Sequence, residues 1–216
     1  MATTDRSSEY EIEVIDTECI LIRNLLGTEE QAAIFQYIQD HDCTPWDTMP
    51  KAMVPTPKTL LFGKQQYGKE TPALTFTLEE KNVLSELILS ANECLRADDG
   101  VDLDMSHTYK SLTMAAIRYH APDGRFPPHC DHCNDSYVYL LSLGCTANFM
   151  VQGPGMTEKR FFKFHSGDLL VFNASTEAAI LHEVCSIDTD GDASGLSGTF
   201  RIMRDHRFGV QIRARY

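Results

Sequence analysis

Stretches in which apolar and polar residues alternate are joined along this chain by two stretches of helical period. The helical ones both lie in the first half. Glu11-Ile12-Glu13-Val14-Ile15 alternates as a half-buried strand does, and Cys19-Ile20-Leu21-Ile22-Arg23-Asn24-Leu25-Leu26 follows as a second apolar segment. Gly27-Thr28-Glu29-Glu30-Gln31 then starts a helix, with Thr28 as N-cap and Gln31 three residues on as in a capping box. Its stripe of Ala33, Ile34, Tyr37 and Ile38 predicts the face that packs on a sheet. A second helix begins at Thr77, carries Val83, Leu84, Leu87, Ile88 and Leu95 at helical spacing, and stops before Asp98-Asp99-Gly100. Beyond Met105 the texture becomes that of strands, over 112–119, 137–143, 148–151, 161–164, 168–172, 179–184, 200–203 and 208–213. Short strands with turn signals between them indicate a sandwich or barrel, and a double-sheet jelly roll closes one naturally. The predicted class is therefore mostly β (α+β), with two helices flanking the sheets in the N-terminal half.

Residues 1–9 read as a disordered polar tail and 10–216 as a single domain, a length that supports a substantial core. Between 41 and 72 the periodicity lapses: prolines at 45, 50, 55, 57 and 72 and glycines at 63 and 68 surround Trp46, the chain's one tryptophan. A loop of this length is usually functional or disordered. It reads either as a substrate-covering lid, with Trp46, Phe62 and Tyr67 as stacking faces, or as a surface loop anchored by those aromatics.

Charge and cysteine usage narrow the function. A formal net charge of −12 argues against general attraction to nucleic acid, since Lys and Arg must replace the counterions around phosphates. Any such contact would need a local basic patch, for which Lys51, Lys58, Lys64 and Lys69 are candidates, or they are ordinary solvated charges. Seven cysteines, an odd number scattered along a chain with no secretory leader, read as reduced thiols rather than a disulfide framework. No run of about 18 apolar residues occurs. The expectation is a soluble monomer of the cytoplasm or nucleus, without membrane contact.

The chemistry centres on Pro127-Pro128-His129-Cys130-Asp131-His132-Cys133. In an extended segment His129 and Asp131 point the same way and can hold one ion. A second imidazole from another strand completes the 2-His-1-carboxylate face that suits non-haem Fe(II) and leaves positions open for substrate and oxygen. His182, in the apolar run Ala178-Ala179-Ile180-Leu181-His182-Glu183-Val184, is the obvious third ligand, because a polar imidazole there needs a partner.

Taken in order, Ile117-Arg118-Tyr119, His129-x-Asp131, Ser142-Leu143-Gly144, Ser166-Gly167-Asp168-Leu169-Leu170-Val171-Phe172, His182 and Arg207-Phe208-Gly209-Val210-Gln211-Ile212-Arg213 resemble the AlkB-type Fe(II)/2-oxoglutarate-dependent dioxygenases. The resemblance is close over about the last hundred residues and looser before them. It implies a double-stranded β-helix, with Fe(II) on His129, Asp131 and His182. It also implies that Arg207 grips the distal carboxylate of 2-oxoglutarate with help from the Tyr119 hydroxyl, and that Arg213 lies near its metal-chelating end. Guanidinium suits this role because it grips a carboxylate bidentately, as lysine cannot. The implied activity is oxidative demethylation of alkylated DNA or RNA bases with molecular oxygen.

This chain departs from the family pattern at three positions. Ile117 and Gly209 stand where members commonly have asparagine, so two hydrogen bonds to 2-oxoglutarate are missing or supplied differently. Cys133 stands where demethylases often place an acidic residue against the target base. Three other readings stay open: an oxygenase acting on a protein or small molecule, a zinc site built on His129, Cys130, His132 and Cys133, and a catalytically silent jelly-roll binding module.

Overall fold

The computed structural model describes residues 10–40, 74–104, 106–189 and 195–216, together with the backbone of 58–62. Its first strands are β1 (Glu11–Asp16) and β2 (Cys19–Arg23), followed by α1 (Thr28–Asp40). Next come β3 (Lys58–Phe62), β4 (Leu74–Phe76), a 3-10 turn at Leu78–Glu80 and α2 (Val83–Ala97). The later strands are β5 (Ser111–His120), β6 (Phe126–Cys130), β7 (Ser136–Gly144), β8 (Ala147–Gln152), β9 (Arg160–Phe164), β10 (Leu169–Asn173), β11 (Leu181–Ile187) and β12 (His206–Arg215).

The strands form two antiparallel sheets. The larger runs β1-β2-β10-β7-β12-β5-β3, with β4 also paired to β5; the smaller runs β6-β11-β8-β9. Strand alternation assigns each residue of the large sheet to one of two cores. On β12, Phe208, Val210, Ile212 and Ala214 join Ile34, Phe35, Ile38, Leu84, Leu87 and Ile88 of the helices in a core on the sheet's outer face. Between the sheets lies a second core, in which Leu21, Val138, Leu170 and Phe172 of the large sheet meet Phe149, Val151, Phe164 and Val184 of the small one. The jelly roll with two flanking helices is thus the observed architecture. Among the described residues no helix is long and apolar enough to cross a membrane.

Four local expectations need correction. At the start of α1 it is the Glu30 carboxylate that reaches back, accepting from Gly27 N at 2.9 Å. Gln31 is instead buried, its amide donating to Leu26 O while its oxygen accepts from Ser166 Oγ. The buried stripe is accordingly Gln31, Ile34, Phe35 and Ile38; Ala33 is exposed. Thr77 begins only the 3-10 turn, and α2 starts at Val83, capped by Asn82 Oδ1, which accepts from Leu84 N and Ser85 N. Residues 201–204 form a 3-10 turn rather than a strand, because Phe200 and Met203 are three apart and both turn into the helix-side core, with Phe200 edge-on to Phe35. Finally, Lys58–Phe62 within the aperiodic stretch is a strand paired to β5.

The Ser166-Gly167-Asp168 turn braces this architecture. Gly167 has φ +90°, where a Cβ would meet Gln31 Nε2 at 2.5 Å and Leu26 O at 2.7 Å, so the turn requires glycine. Buried Asp168 then accepts from Asn24 N (2.9 Å), His165 N (2.9 Å) and Arg23 Nη1 (3.1 Å), tying β2 to the end of β9. Arg23 and Arg160 both pair with Glu13, closing the same edge.

Candidate functional site

His129 and His182 face each other across two paired strands: they are register partners on β6 and β11, with ring centroids 4.2 Å apart. Strand β6 is an edge, which is why it tolerates Pro127 and Pro128, residues that cannot donate to a ladder. In each histidine Nδ1 lies within hydrogen-bond distance of the carbonyl two residues back, His129 to Pro127 O at 2.9 Å and His182 to Ile180 O at 3.1 Å. A carbonyl only accepts, so both Nδ1 atoms carry the proton, and Nε2 of each ring is the atom available to a metal. Burial, and then the facing His129, push His182 down to about 4, so its imidazole is neutral and ready to ligate. Asp131, one residue beyond β6, completes the group: one ligand atom from each of His129, Asp131 and His182 lies within 4.8 Å of the others.

The second half of the site is on the large sheet. Arg207, Gly209, Gln211 and Arg213 alternate with the helix-side core residues of β12 and turn into the space between the sheets. Arg207 is opposite Tyr119 in the β5 ladder and is fully buried. Its Nε donates to Ser142 Oγ at 3.2 Å, and its Cζ lies 5.4 Å from the Tyr119 ring centre and 5.2 Å from that of Phe164. No carboxylate accompanies it among the described residues, and Nη2 is buried without a partner. Burial pushes Arg207 down to about 10, Tyr119 opposing the shift, and pushes Tyr119 up to about 12, Arg207 opposing it. Arg213 Nη2 donates to Asp131 Oδ2 at 3.0 Å, while its Nε is also buried without a partner. The two departures in this region are directly opposite each other, Ile117 across from Gly209. A Cβ at Gly209 would lie 2.9 Å from Arg207 Nη1 and 3.4 Å from Tyr119 Cε2, so the missing side chain leaves the room that the guanidinium takes.

These residues suit the groups the motifs imply. Two imidazoles and a carboxylate are the donor set of a non-haem Fe(II) centre with open positions. A buried guanidinium with an unsatisfied N–H is costly alone and is relieved by an anion such as a carboxylate.

Of the residues expected to meet the substrate, Trp46 and Tyr67 lie outside the described residues, and so does the side chain of Phe62. Cys133 lies beside the metal group's carboxylate end, its Sγ accepting from Arg215 Nη2 at 3.7 Å. Burial raises its thiol, but hydrogen bonds with Ser136 and Arg215 and the charges of Arg213 and Arg215 outweigh that and lower it overall. Cys130 turns away, its thiol donating to Ala179 O. The cysteines thus do not join the histidines in a metal cluster among the described residues. Three contributors were missed from the sequence as site residues: Ser142, which holds Arg207; Phe164, beneath its guanidinium; and Gln211, which donates to Asp131 Oδ2 at 2.8 Å. The odd-numbered parity of β12 that selects Arg207 and Arg213 also selects Gln211.

The two sheets with this constellation between them define a 2-oxoglutarate oxygenase fold of the AlkB-like kind. Among solved structures the chain is similar to OsALKBH1, at 18% identity and TM-score 0.66 over 94% of this chain and 99% of that one. It is also similar to a Pseudomonas putida prolyl-4-hydroxylase (11%, TM-score 0.52, 92% of each chain). A third is a Trichoplax adhaerens prolyl hydroxylase in complex with a hypoxia inducible factor peptide fragment (12%, TM-score 0.51, 92% and 84%). No protein-family model and no curated protein sequence matches the chain.

Proposed function

We propose that this protein is an Fe(II)/2-oxoglutarate-dependent dioxygenase. The observation that carries this reading is the pairing of a His129-Asp131-His182 group with a buried, anion-less Arg207 in one inter-sheet space. His129, Asp131 and His182 would hold the iron, and Arg207, Tyr119 and Arg213 the 2-oxoglutarate. When bound, the two supply oxidation of a substrate C–H bond by molecular oxygen, with 2-oxoglutarate consumed to succinate and carbon dioxide. The protein's own groups keep the His182 imidazole neutral, orient the carboxylate and present fixed cations to a dianion in a space lined by Phe164 and Phe172.

For the substrate, the ordered motif series favours an N-methylated base of DNA or RNA. The base would be taken out of its stack and held against Trp46, Phe62 and Tyr67, beside Cys133. Hydroxylation of the methyl carbon gives a hemiaminal that releases formaldehyde. A second reading, hydroxylation of a protein or small molecule, is favoured by the net charge of −12 and by a thiol-guanidinium pair where a carboxylate would meet a cationic base.

Iron-reconstituted protein is to be assayed for succinate and formaldehyde with methylated single- and double-stranded oligonucleotides and with a peptide panel. Formaldehyde in step with succinate, and loss of both in His182→Ala together with its iron, is the expected result. Turnover with peptides or small molecules alone replaces the nucleic-acid reading by the second. Full iron loading and turnover in His182→Ala would overturn the metal assignment.

A further inference from the structure

Asp131 is the one metal-group residue whose backbone lies outside a strand: β6 ends at Cys130, whereas His129 and His182 are fixed by the β6–β11 ladder. A carboxylate on such a residue can rotate or change from one-oxygen to two-oxygen ligation unless other groups hold it. Two side chains do so, and both reach the same atom. Gln211 Nε2 donates to Asp131 Oδ2 at 2.8 Å and Arg213 Nη2 at 3.0 Å. Among the described residues these are the only hydrogen bonds to the Asp131 carboxylate, so Oδ1 keeps its lone pairs for an ion. The amide orientation follows from the chemistry, because a carboxylate only accepts and must therefore face the NH2 group.

The two donors are not equivalent. Arg213 is a cation with a buried, unpartnered Nε, so an anion beside it competes with Asp131 for the guanidinium. Gln211 is neutral and has little affinity for a second anion. Its neighbours across the ladders are Ala115 and Leu140, and its side chain makes its one hydrogen bond, among the described residues, to Asp131. We infer that Gln211 is the positioning residue that holds Asp131 in one-oxygen presentation to the metal, whether or not Arg213 is engaged elsewhere. This rests on the oxygenase reading of the site. It separates two tasks that β12 performs two residues apart: charge balance at Arg213 and carboxylate orientation at Gln211.

The test is a Co(II) titration of metal-free protein, followed by visible absorption and calorimetry, on wild type, Gln211→Met and His182→Ala. Methionine keeps the length and removes both donors. Gln211→Met is expected to bind Co(II) at least about tenfold more weakly, as is usual when a ligand loses its orienting partner. Its visible bands should be altered because the carboxylate, held by Arg213 alone, can take up two-oxygen ligation. The melting temperature of the metal-free protein should fall by no more than about 4 °C, the shift that one lost kilocalorie produces in a chain of this size. Where Gln211→Met does not fold, Gln211→Thr, β-branched and too short to reach Asp131, carries the same expectation. Wild-type affinity and bands in the Gln211 variant overturn the positioning role and leave the oxygenase reading intact. Equal Co(II) binding by wild type and His182→Ala overturns that reading itself, and this inference with it.

Discussion

Replacing Arg207 by methionine should make the ligand-free protein slightly more stable while removing its response to 2-oxoglutarate. The guanidinium is fully buried without a countercharge, and burial pushes it down to about 10, well below arginine's usual range. That depression corresponds to roughly 3 kcal/mol against the charged form in the fold. Below about pH 10 the side chain is charged both folded and unfolded, so at neutral pH the folded state carries the whole penalty. Methionine removes it, and with it the bond to Ser142 Oγ, worth about 1 kcal/mol, and the contacts with the Tyr119 and Phe164 rings, worth about 0.5–1 kcal/mol together. Ser142 Oγ keeps its bond to Phe164 O. The net gain is about 1 kcal/mol, a rise of roughly 2–4 °C in Tm for a chain of this size. On the proposed reading, 2-oxoglutarate at a hundred times its Kd adds about 2.7 kcal/mol to the wild type, which the variant forfeits. The assay is thermal unfolding under anaerobic conditions with Fe(II), with and without 2-oxoglutarate. A ligand-induced rise equal to wild type's in Arg207→Met would show that another cation receives the co-substrate. A ligand-free Tm many degrees below wild type's would refute the claim that the buried charge is a net cost.

Two further outcomes follow from the geometry. Gly209→Ala puts a methyl 2.9 Å from Arg207 Nη1 in a slot already closed by two rings, so the guanidinium must shift; the KM for 2-oxoglutarate should rise severalfold in steady-state kinetics while the ligand-free Tm changes little. Asp168→Ala leaves two backbone N–H groups without their acceptor and takes one of two acid partners from Arg23, which keeps Glu13. It should cost about 2–5 kcal/mol, as stranding two buried donors does, measured as a fall in the urea midpoint of unfolding.

That His129, Asp131 and His182 come together was legible because the signal is local: a two-residue spacing on one extended segment and an imidazole in an apolar run survive without knowledge of the topology. The arginine pair was legible through parity, since Arg207 and Arg213 are an even number apart. What parity alone could not show is which odd positions between them matter. Gly209 acts by being absent, and Gln211 acts on a residue eighty positions away that only the sheet packing brings near. The start of α1 was misplaced for a related reason. Glu30 and Gln31 both fit a local capping pattern, and the choice was made by Ser166, remote in sequence, drawing Gln31 into the core. Phe200 and Met203 suit a strand and a tight helical turn equally well until Phe35 is known to be beneath them. The stretch 41–72 offered no period, and the pairing of Lys58–Phe62 with β5 is set by the partner strand rather than by its own pattern.

The histidines are borne by one sheet and the guanidiniums by the other, so no strand register sets the span between them. That span is the thickness of the filling: Phe149 and Phe164 from one side, Leu170 and Phe172 from the other. Those side chains, three rings and a leucine, set how far apart the two walls of the site stand. Trimming Phe172, which precedes His182 by ten residues and has its ring 4.9 Å from that imidazole, would alter the spacing between the imidazole wall and the guanidinium wall. The ruler of the site is written in its hydrophobic core.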